Sequence, residues 1–407
     1  MAAIKDEITD YMDRIRSFSR NSKIFLFSHC LITVGLGIFN VIFNLYILEL
    51  GYSATFLGIV ISSNLIFSAV FLFPGGAISD KIGRKNTLLL STGLMIGSTI
   101  AVSIAQDRYL LLVGNSIRGL SNSLIMVVIA PFMTEQSNPY ERMHLFSVDA
   151  ALRSFSRMIG SLIGGLLPAV LSVTRMTVTV QYQYTLLTAG IFTLLAFFPL
   201  FLITEKKKAI ITTSSETSLF GQKKKFVGQF VFCSSLIGFG AGVIVPFFNV
   251  YFSQVLKATP AQIGLMFSLG ELSMGIASLV LPFVVRRYGK VGSIVLTQVL
   301  SIPFLLLITV SDSLFPSFIG YFFRTTLMNM ASPAQQNFFM DEIPEHERGK
   351  ANSLSQFGST FFRALGSDVG GYLLSVGNFN QAFQITGSIY MVGTGLFYFF
   401  FRNKNNR

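Results

Sequence analysis

Apolar runs of about twenty residues or more follow one another along this chain, and no other feature limits its folding as much. They fall at about 23–49, 53–79, 87–105, 109–133, 145–171, 183–203, 226–252, 260–285, 291–311, 314–340, 351–376 and 380–401. A helix that crosses a bilayer needs about 20 apolar residues, and in lipid its backbone groups must pair within the segment. Twelve such runs with short connections predict an all-α membrane protein with twelve transmembrane helices. A transmembrane β-barrel would alternate apolar and polar residues instead. The side chains agree: 51% are hydrophobic and 12% are charged, about half the charged share of a soluble domain. A mean hydropathy of +0.61 excludes a soluble globular chain and a disordered one.

The net charge of +12 has the sign of a nucleic-acid binder, but its distribution follows a membrane. With the N-terminus cytoplasmic, most of the 31 Lys and Arg fall before the first run, in the loops on the same side and in the tail. The opposite loops hold only Arg108, Arg175 and Lys257. This positive-inside bias predicts a multi-pass protein of the cell membrane with both termini cytoplasmic. Its surroundings are then the lipid bilayer, with no nucleic-acid partner. Residues 1–22 carry Ile4, Ile8, Tyr11, Met12, Ile15 and Phe18 at helical spacing between Lys5, Arg14, Arg16 and Arg20. They are charged throughout, which argues against a cleavable signal peptide. They read either as an amphipathic helix on the membrane surface or as a frayed tail.

Cys30 and Cys233 are the only cysteines and both lie inside apolar runs, so neither a disulfide framework nor a zinc site is expected. His29, His144 and His346 have no ligand spacing to cysteine or carboxylate, and no glycine-rich phosphate cradle occurs. The expectation is no metal, no cofactor and no enzyme.

The chain also repeats itself. A shift of about 206 residues sets Glu141-Arg142 on Glu347-Arg348, Gly160-Ser161 on Gly366-Ser367, and Gly164-Gly165 on Gly370-Gly371. Arg118 meets Arg324, Arg157 meets Arg363, and Lys81, Gly83 and Arg84 meet Arg287, Gly289 and Lys290. A shift of 205 sets Phe43-Asn44-Leu45-Tyr46 on Phe248-Asn249-Val250-Tyr251. The expected organisation is two pseudo-symmetric six-helix bundles, 23–203 and 226–402. A linker, 204–225, with Lys206–Lys208 and Lys223–Lys225 joins them, and a tail, 403–407, follows. Duplicated halves rocking about a central site suit alternating access.

The loop Gly76-Ala77-Ile78-Ser79-Asp80-Lys81-Ile82-Gly83-Arg84-Lys85 resembles the G-x-x-x-D-[RK]-x-G-[RK]-[RK] signature of the major facilitator superfamily of secondary transporters. The resemblance covers about residues 23–402. It implies that Asp80 meets the cytoplasmic start of helix 11 when the transporter is open outward. A carboxylate is favoured at a helix N-terminus. Gly76 would permit close approach and Gly83 a tight turn. The second half keeps a worn copy, Arg286-Arg287-Tyr288-Gly289-Lys290, with Arg286 in place of the acid. Glu135 precedes Arg142, and Asp341 precedes Arg348, by seven residues. In relatives such acids and arginines pair across helix ends and lock the inner gate; the alternative is solvated loop charge. Arg118 resembles the arginine of the proton-antiporter signature, although the later glycine is Asn122 here. Gly160-Ser161-Leu162-Ile163-Gly164-Gly165 resembles the antiporter G-P-x-x-G-G, with Ser161 for proline.

Charges inside the spans complete the reading. They are Arg118, Arg153, Arg157, Arg324 and Arg363 against Asp149, Glu271 and Asp368. A charge in the bilayer is costly, so these must face a cavity or each other. Arginine keeps its charge when buried and grips carboxylate or phosphate with a planar fork. Arg118 and Arg324 are therefore candidate substrate ligands, and Arg157 and Arg363 gate or scaffold candidates. Asp149 lies four and eight residues before Arg153 and Arg157, and pairing there would consume the surplus. Glu271 sits about 11 residues, or ~16 Å, into its helix with no basic residue within a turn. It is the first proton-coupling candidate, ahead of Asp149 and Asp368; a structural protonated Glu is the alternative. Asn44, Tyr46, Asn249 and Tyr251 could bind substrate or close the outer gate. Pro246, Pro131 and Pro333 permit bending.

The resulting expectation is a monomeric secondary transporter of a small solute, working by alternating access and coupled to protons. Efflux of drugs or amphipathic metabolites competes with movement of an organic anion or zwitterion. A non-transporting membrane sensor is the remote alternative. It would call for a long soluble output domain, whereas the loops here are short.

Overall fold

The computed structural model describes residues 17–204, 221–310, 312–344 and 347–404. The amphipathic pattern over 1–16, linker residues 205–220, His346 and tail residues 405–407 lie outside the described residues. Among the described residues every regular element is helical. The first half contains α1 (Arg20–Glu49), α2 (Ala54–Ile82), α3 (Arg84–Ile104), α4 (Arg108–Glu135), α5 (Pro139–Ser172) and α6 (Val178–Leu200). The second contains α7 (Lys224–Ile244), α8 (Phe248–Gln254), α9 (Pro260–Val310), α10 (Leu314–Met330), α11 (Ser332–Asp341), α12 (Arg348–Ser375) and α13 (Phe379–Phe401). Eight stretches are long and apolar enough by themselves to cross a membrane.

Among the described residues thirteen α-helices make twelve spans, because two spans are each broken in two and two others run together in one helix. A 3-10 turn, Val245–Phe247, links α7 to α8, and Pro246 within it lacks a backbone donor. Span ten breaks at Ala331, just before Pro333 at the start of α11. The long α9 holds two spans that turn at Gly289, where φ is 71°. Its repeat equivalent Gly83 separates α2 from α3 with φ 91°. Glycine takes that backbone without the penalty a Cβ would bring. Local caps fix other ends: Ser53 Oγ accepts from the Phe56 N–H, and the Asp107 carboxylate accepts from the Tyr109 and Leu110 N–H groups.

The halves meet through α2 against α12 and α5 against α9. Gly58 lies against Gly371, and Gly165 against Gly264. The shift of about 206 maps 58 onto 264 and 165 onto 371, so the interface is the same contact made twice about a two-fold axis.

We call the side that carries Arg20 and Arg402 the terminal face and the other the far face. The buried apolar core is continuous between the halves toward the far face, where Ile42, Tyr46 and Phe43 share one cluster with Phe247, Phe252 and Tyr390. Toward the terminal face it divides. One cluster, around Phe25, Phe132 and Leu200, belongs wholly to the first half, and one, around Phe230, Phe339 and Phe401, wholly to the second. The molecule is closed at the far face and parted at the terminal face.

Candidate binding cavity between the halves

The parting leaves a central cavity of about 680 Å³. It runs from Asn44 and Pro246 at the far end to Ser332, Gln335, Gln336 and Gln356 toward the terminal face. Five charged side chains line it: Arg118, Arg157, Arg324, Arg363 and Glu271. Amides supply most of the remaining polarity, with Asn40, Asn64, Asn115 and Asn122 on the wall of the first half. Phe267 stacks on Tyr321 at 5.5 Å, forming an aromatic wall beside Glu271.

Each arginine is held differently. Arg118 is 4% exposed, donates to Thr99 Oγ1 at 2.6 Å, and lies over the Phe39 ring, 3.5 Å from its centroid. A ring face offsets part of a cation's desolvation. Arg324 is 3% exposed, donates to the Tyr390 hydroxyl at 2.6 Å, and lies 5.3 Å from the Phe248 centroid. Its Nε is buried without an acceptor. Arg157 reaches across the interface to Glu271, Nη1 to Oε1 3.4 Å. Glu271 therefore has a cation beside it, contrary to the lone carboxylate that its own helix suggests. Arg363 lies near Tyr390 and Arg324, and its guanidinium has no hydrogen bond or ion pair among the described residues.

The other titratable candidates sit away from the cavity. Asp149 is 3% exposed and is shared by His29 (Nδ1–Oδ1 2.7 Å) and Arg153 (Nε–Oδ2 3.0 Å), joining α1 to α5. His29 carries no motif, which hid this pair in the sequence. Asp368 lies against Ser62 of α2, across the interface.

The far closure is built from the duplicated asparagines. Asn44 Nδ2 donates to Asn249 Oδ1 at 3.0 Å and to the Pro246 carbonyl at 2.6 Å. Asn249 Nδ2 donates to the carbonyls of Val41 (3.0 Å) and Asn40 (3.3 Å). Tyr46 and Tyr251 do not line the cavity; each is buried and donates to a backbone carbonyl of its own half, Ala105 at 2.7 Å and Ile308 at 3.0 Å. The double variant Asn44→Ala with Asn249→Ala removes all of these side-chain bonds across the closure. Spin labels at Glu49→Cys and Thr259→Cys, with Cys30 and Cys233 replaced by serine, should then show a longer distance component. An unchanged distribution would mean the apolar core alone keeps this face shut.

At the terminal face the described ion pairs stay within one half. Asp80 is exposed and accepts from Arg84 at 2.7 Å, not from the start of α12. Arg84 also meets Glu135 at 3.5 Å, and the equivalent Lys290 pairs with Asp341. The acids therefore do not take Arg142 and Arg348 as the resemblance implies: Arg142 Nε is buried without a partner, and Arg348 Nε donates to the carbonyls of Met340 and Ile343. Lys85 donates to the Phe201 carbonyl, and Lys81 is exposed. A Cβ on Gly76 would meet no atom within 4 Å, so the close approach expected there is not made in this conformation. Burial disfavours the Glu342 carboxylate, but hydrogen bonds from Lys223 (2.8 Å) and Lys404 (2.7 Å) outweigh it and hold its carboxyl below the ordinary range. That cluster ties the starts and ends of the second half together.

A sequence model described as Major Facilitator Superfamily matches residues 25–228 and 230–407. The chain belongs to the major facilitator superfamily. It is 22% identical over 386 residues to the "Quinolone resistance protein NorA" of Staphylococcus aureus (strain MRSA252), covering 92% of this chain and 94% of that protein. Among solved structures it resembles a D-xylose-proton symporter (TM-score 0.75, 14% identity, 95% of this chain and 97% of that one). It also resembles the nucleoside transporter NupG (TM-score 0.74, 12% identity, 94% and 100%). These likenesses establish the fold of a major facilitator transporter: twelve spans in two halves, a multi-pass membrane protein. In superfamily terms, the cavity opens on the side that carries the signature loop.

Proposed function

We propose that this superfamily member moves a small anionic or zwitterionic solute by alternating access about the central cavity. The observation that carries this reading is the charge of the lining, four arginines against one glutamate. A cavity of that sign attracts an anion and repels a cation. The far-face lock and parted terminal face supply one of the two states that alternation requires. We place the protein as a monomer in the cell membrane with its terminal face in the cytoplasm, from the positive-inside bias. Coupling to protons rests on Glu271, a carboxylate inside the cavity whose ionisation would alter the charge that the solute meets. Efflux of lipophilic drugs is the second reading, supported by the likeness to NorA and by Phe39, Phe230, Phe248, Phe267, Met274 and Met328 in the lining.

Thermal shift of the purified protein separates the two. Small carboxylates, phosphates and amino acids form one panel, and lipophilic cations such as tetraphenylphosphonium the other. A ligand at 100 times its dissociation constant stabilises by about 2.7 kcal/mol. The anion panel is expected to contain the stabilisers. Stabilisation by the cations alone would overturn the reading and leave drug efflux.

A further inference from the structure

The repeat that builds the cavity fails at the partner of one arginine, and the break leaves a cation without a counterion. Arg157 is neutralised by Glu271 from the other half. The equivalent of Arg157 is Arg363, so symmetry would neutralise Arg363 with the equivalent of Glu271. Position 271 less 206 is position 65, and that residue is Leu65, which also lines the cavity. Arg363 therefore faces the cavity with no acid opposite it. Beside it stands Arg324, 3% exposed, with its Nε buried and unpartnered. Tyr390 accepts one Arg324 hydrogen bond and lies near Arg363 as well. Two guanidinium groups are gathered around one phenol, and neither has a carboxylate among the described residues.

Such a pair is costly in a membrane unless an anion completes it. Arg118 is better satisfied, since it lies over the Phe39 ring and donates to Thr99. The missing charge thus belongs on the second-half wall. The first-half wall offers different chemistry. Asn64 Nδ2 donates one N–H to the Asn115 carbonyl at 2.9 Å, and Asn115 Nδ2 one to the Val60 carbonyl at 2.7 Å. Their Oδ1 atoms remain as acceptors, and Asn40 and Asn122 add amides nearby. Acceptors of this kind suit hydroxyl donors.

We propose that Arg324 and Arg363, framed by Tyr390, form the subsite for the acidic group of a hydroxyl-bearing organic anion, whose hydroxyls face the asparagine wall. This rests on the reading of the cavity as an anion site and adds where the acid binds and what the rest of the solute carries. Carboxylate and phosphate share the required fork geometry.

The test is a thermal-shift titration with gluconate, glucose 6-phosphate, neutral glucose and acetate. Gluconate or glucose 6-phosphate should stabilise the native protein, and whichever responds tells carboxylate from phosphate. Glucose and acetate should bind at least tenfold more weakly. Arg324→Gln and Arg363→Gln should each weaken the response at least tenfold, and Arg118→Gln, on the opposite wall, should weaken it by less. Because a buried arginine variant can fail to fold, Leu65→Glu is the second arm. It supplies the acid that symmetry omits, and should abolish the anion response while leaving the free protein at least as stable. Anion binding that survives Arg363→Gln and Leu65→Glu, or that only Arg118→Gln removes, overturns the subsite and leaves the anion reading standing. Acetate binding as well as gluconate overturns the hydroxyl requirement. If tetraphenylphosphonium stabilises and neither sugar acid does, the anion reading and the subsite fall together.

Discussion

Gly366→Ala is expected to lower the stability of the whole protein, whereas Gly264→Ala is expected to leave it folded and change which face is open. Both positions are close helix crossings, but they lie in different kinds of interface. A Cβ on Gly366 would come within 2.1 Å of the Phe239 carbonyl oxygen, and one on its repeat equivalent Gly160 within 2.2 Å of that of Val34. These crossings, α12 on α7 and α5 on α1, lie inside one half. They persist whichever face is open, and the obstacle is backbone, which cannot rotate away. Overpacking of this sort costs about 1–3 kcal/mol and sometimes more. A Cβ on Gly264 would meet Ser161 O at 2.5 Å and Gly165 Cα at 2.7 Å, across the seam between halves. Rocking of the halves changes that contact. A strain of about 1.4 kcal/mol confined to one state shifts its population tenfold against the other. Thermal unfolding should therefore show a lower midpoint for Gly366→Ala and Gly160→Ala. Spin-label distances across the terminal face should shorten for Gly264→Ala and for its counterpart Gly58→Ala. Equal losses of midpoint in both classes, with unchanged distances, would refute this division.

The same two-fold relation explains how much was legible beforehand. Spans, halves and repeat follow from periodic apolarity and self-comparison, because both are written along the chain. So was the turn at Gly289, since its equivalent Gly83 sits in a recognisable loop. Partners across helices were not. Glu271 looks isolated on its own helix, and its cation is Arg157, 114 residues away in the other half. His29 and Asp149 are separated by 120 residues and by no motif. The resemblance pairs Glu135 and Asp341 with arginines seven residues onward, yet each takes a cation 51 residues earlier, Arg84 and Lys290. That separation recurs in both halves, so comparison of spacings between the repeats held the signal. Tyr46 and Tyr251 repeat each other, and each ties the far end of its helix to a carbonyl of its own half, which is a packing role. Duplication alone cannot distinguish that from a site.

Arg157→Gln is expected to remove most transport, and the charge exchange Arg157→Glu with Glu271→Arg should show why. The pair bridges the halves at 3.4 Å, with side-chain exposures of 35% and 18%. Loss of the arginine leaves the Glu271 carboxylate, in a cavity wall that also holds Tyr321, Phe267 and Met274, without its ion-pair partner. A fully buried pair broken in this way costs about 3–5 kcal/mol, and an exposed one about 0–1. This half-open pair falls between, so we expect roughly 2 kcal/mol and a rate loss of at least tenfold. Uptake into proteoliposomes of the anion found by thermal shift, driven by a pH gradient, is the measurement. Glu271→Gln should remove the response to the gradient and leave solute exchange intact. The exchanged pair restores attraction, so stability should return. It moves the carboxylate to α5, however, and changes its surroundings and its position in the cavity. If Glu271 carries the proton, gradient-driven uptake stays low in the exchanged variant while stability recovers. If both recover, the pair serves only to hold the halves together, and the proton must bind elsewhere, with the buried Asp149 beside His29 the next group to replace.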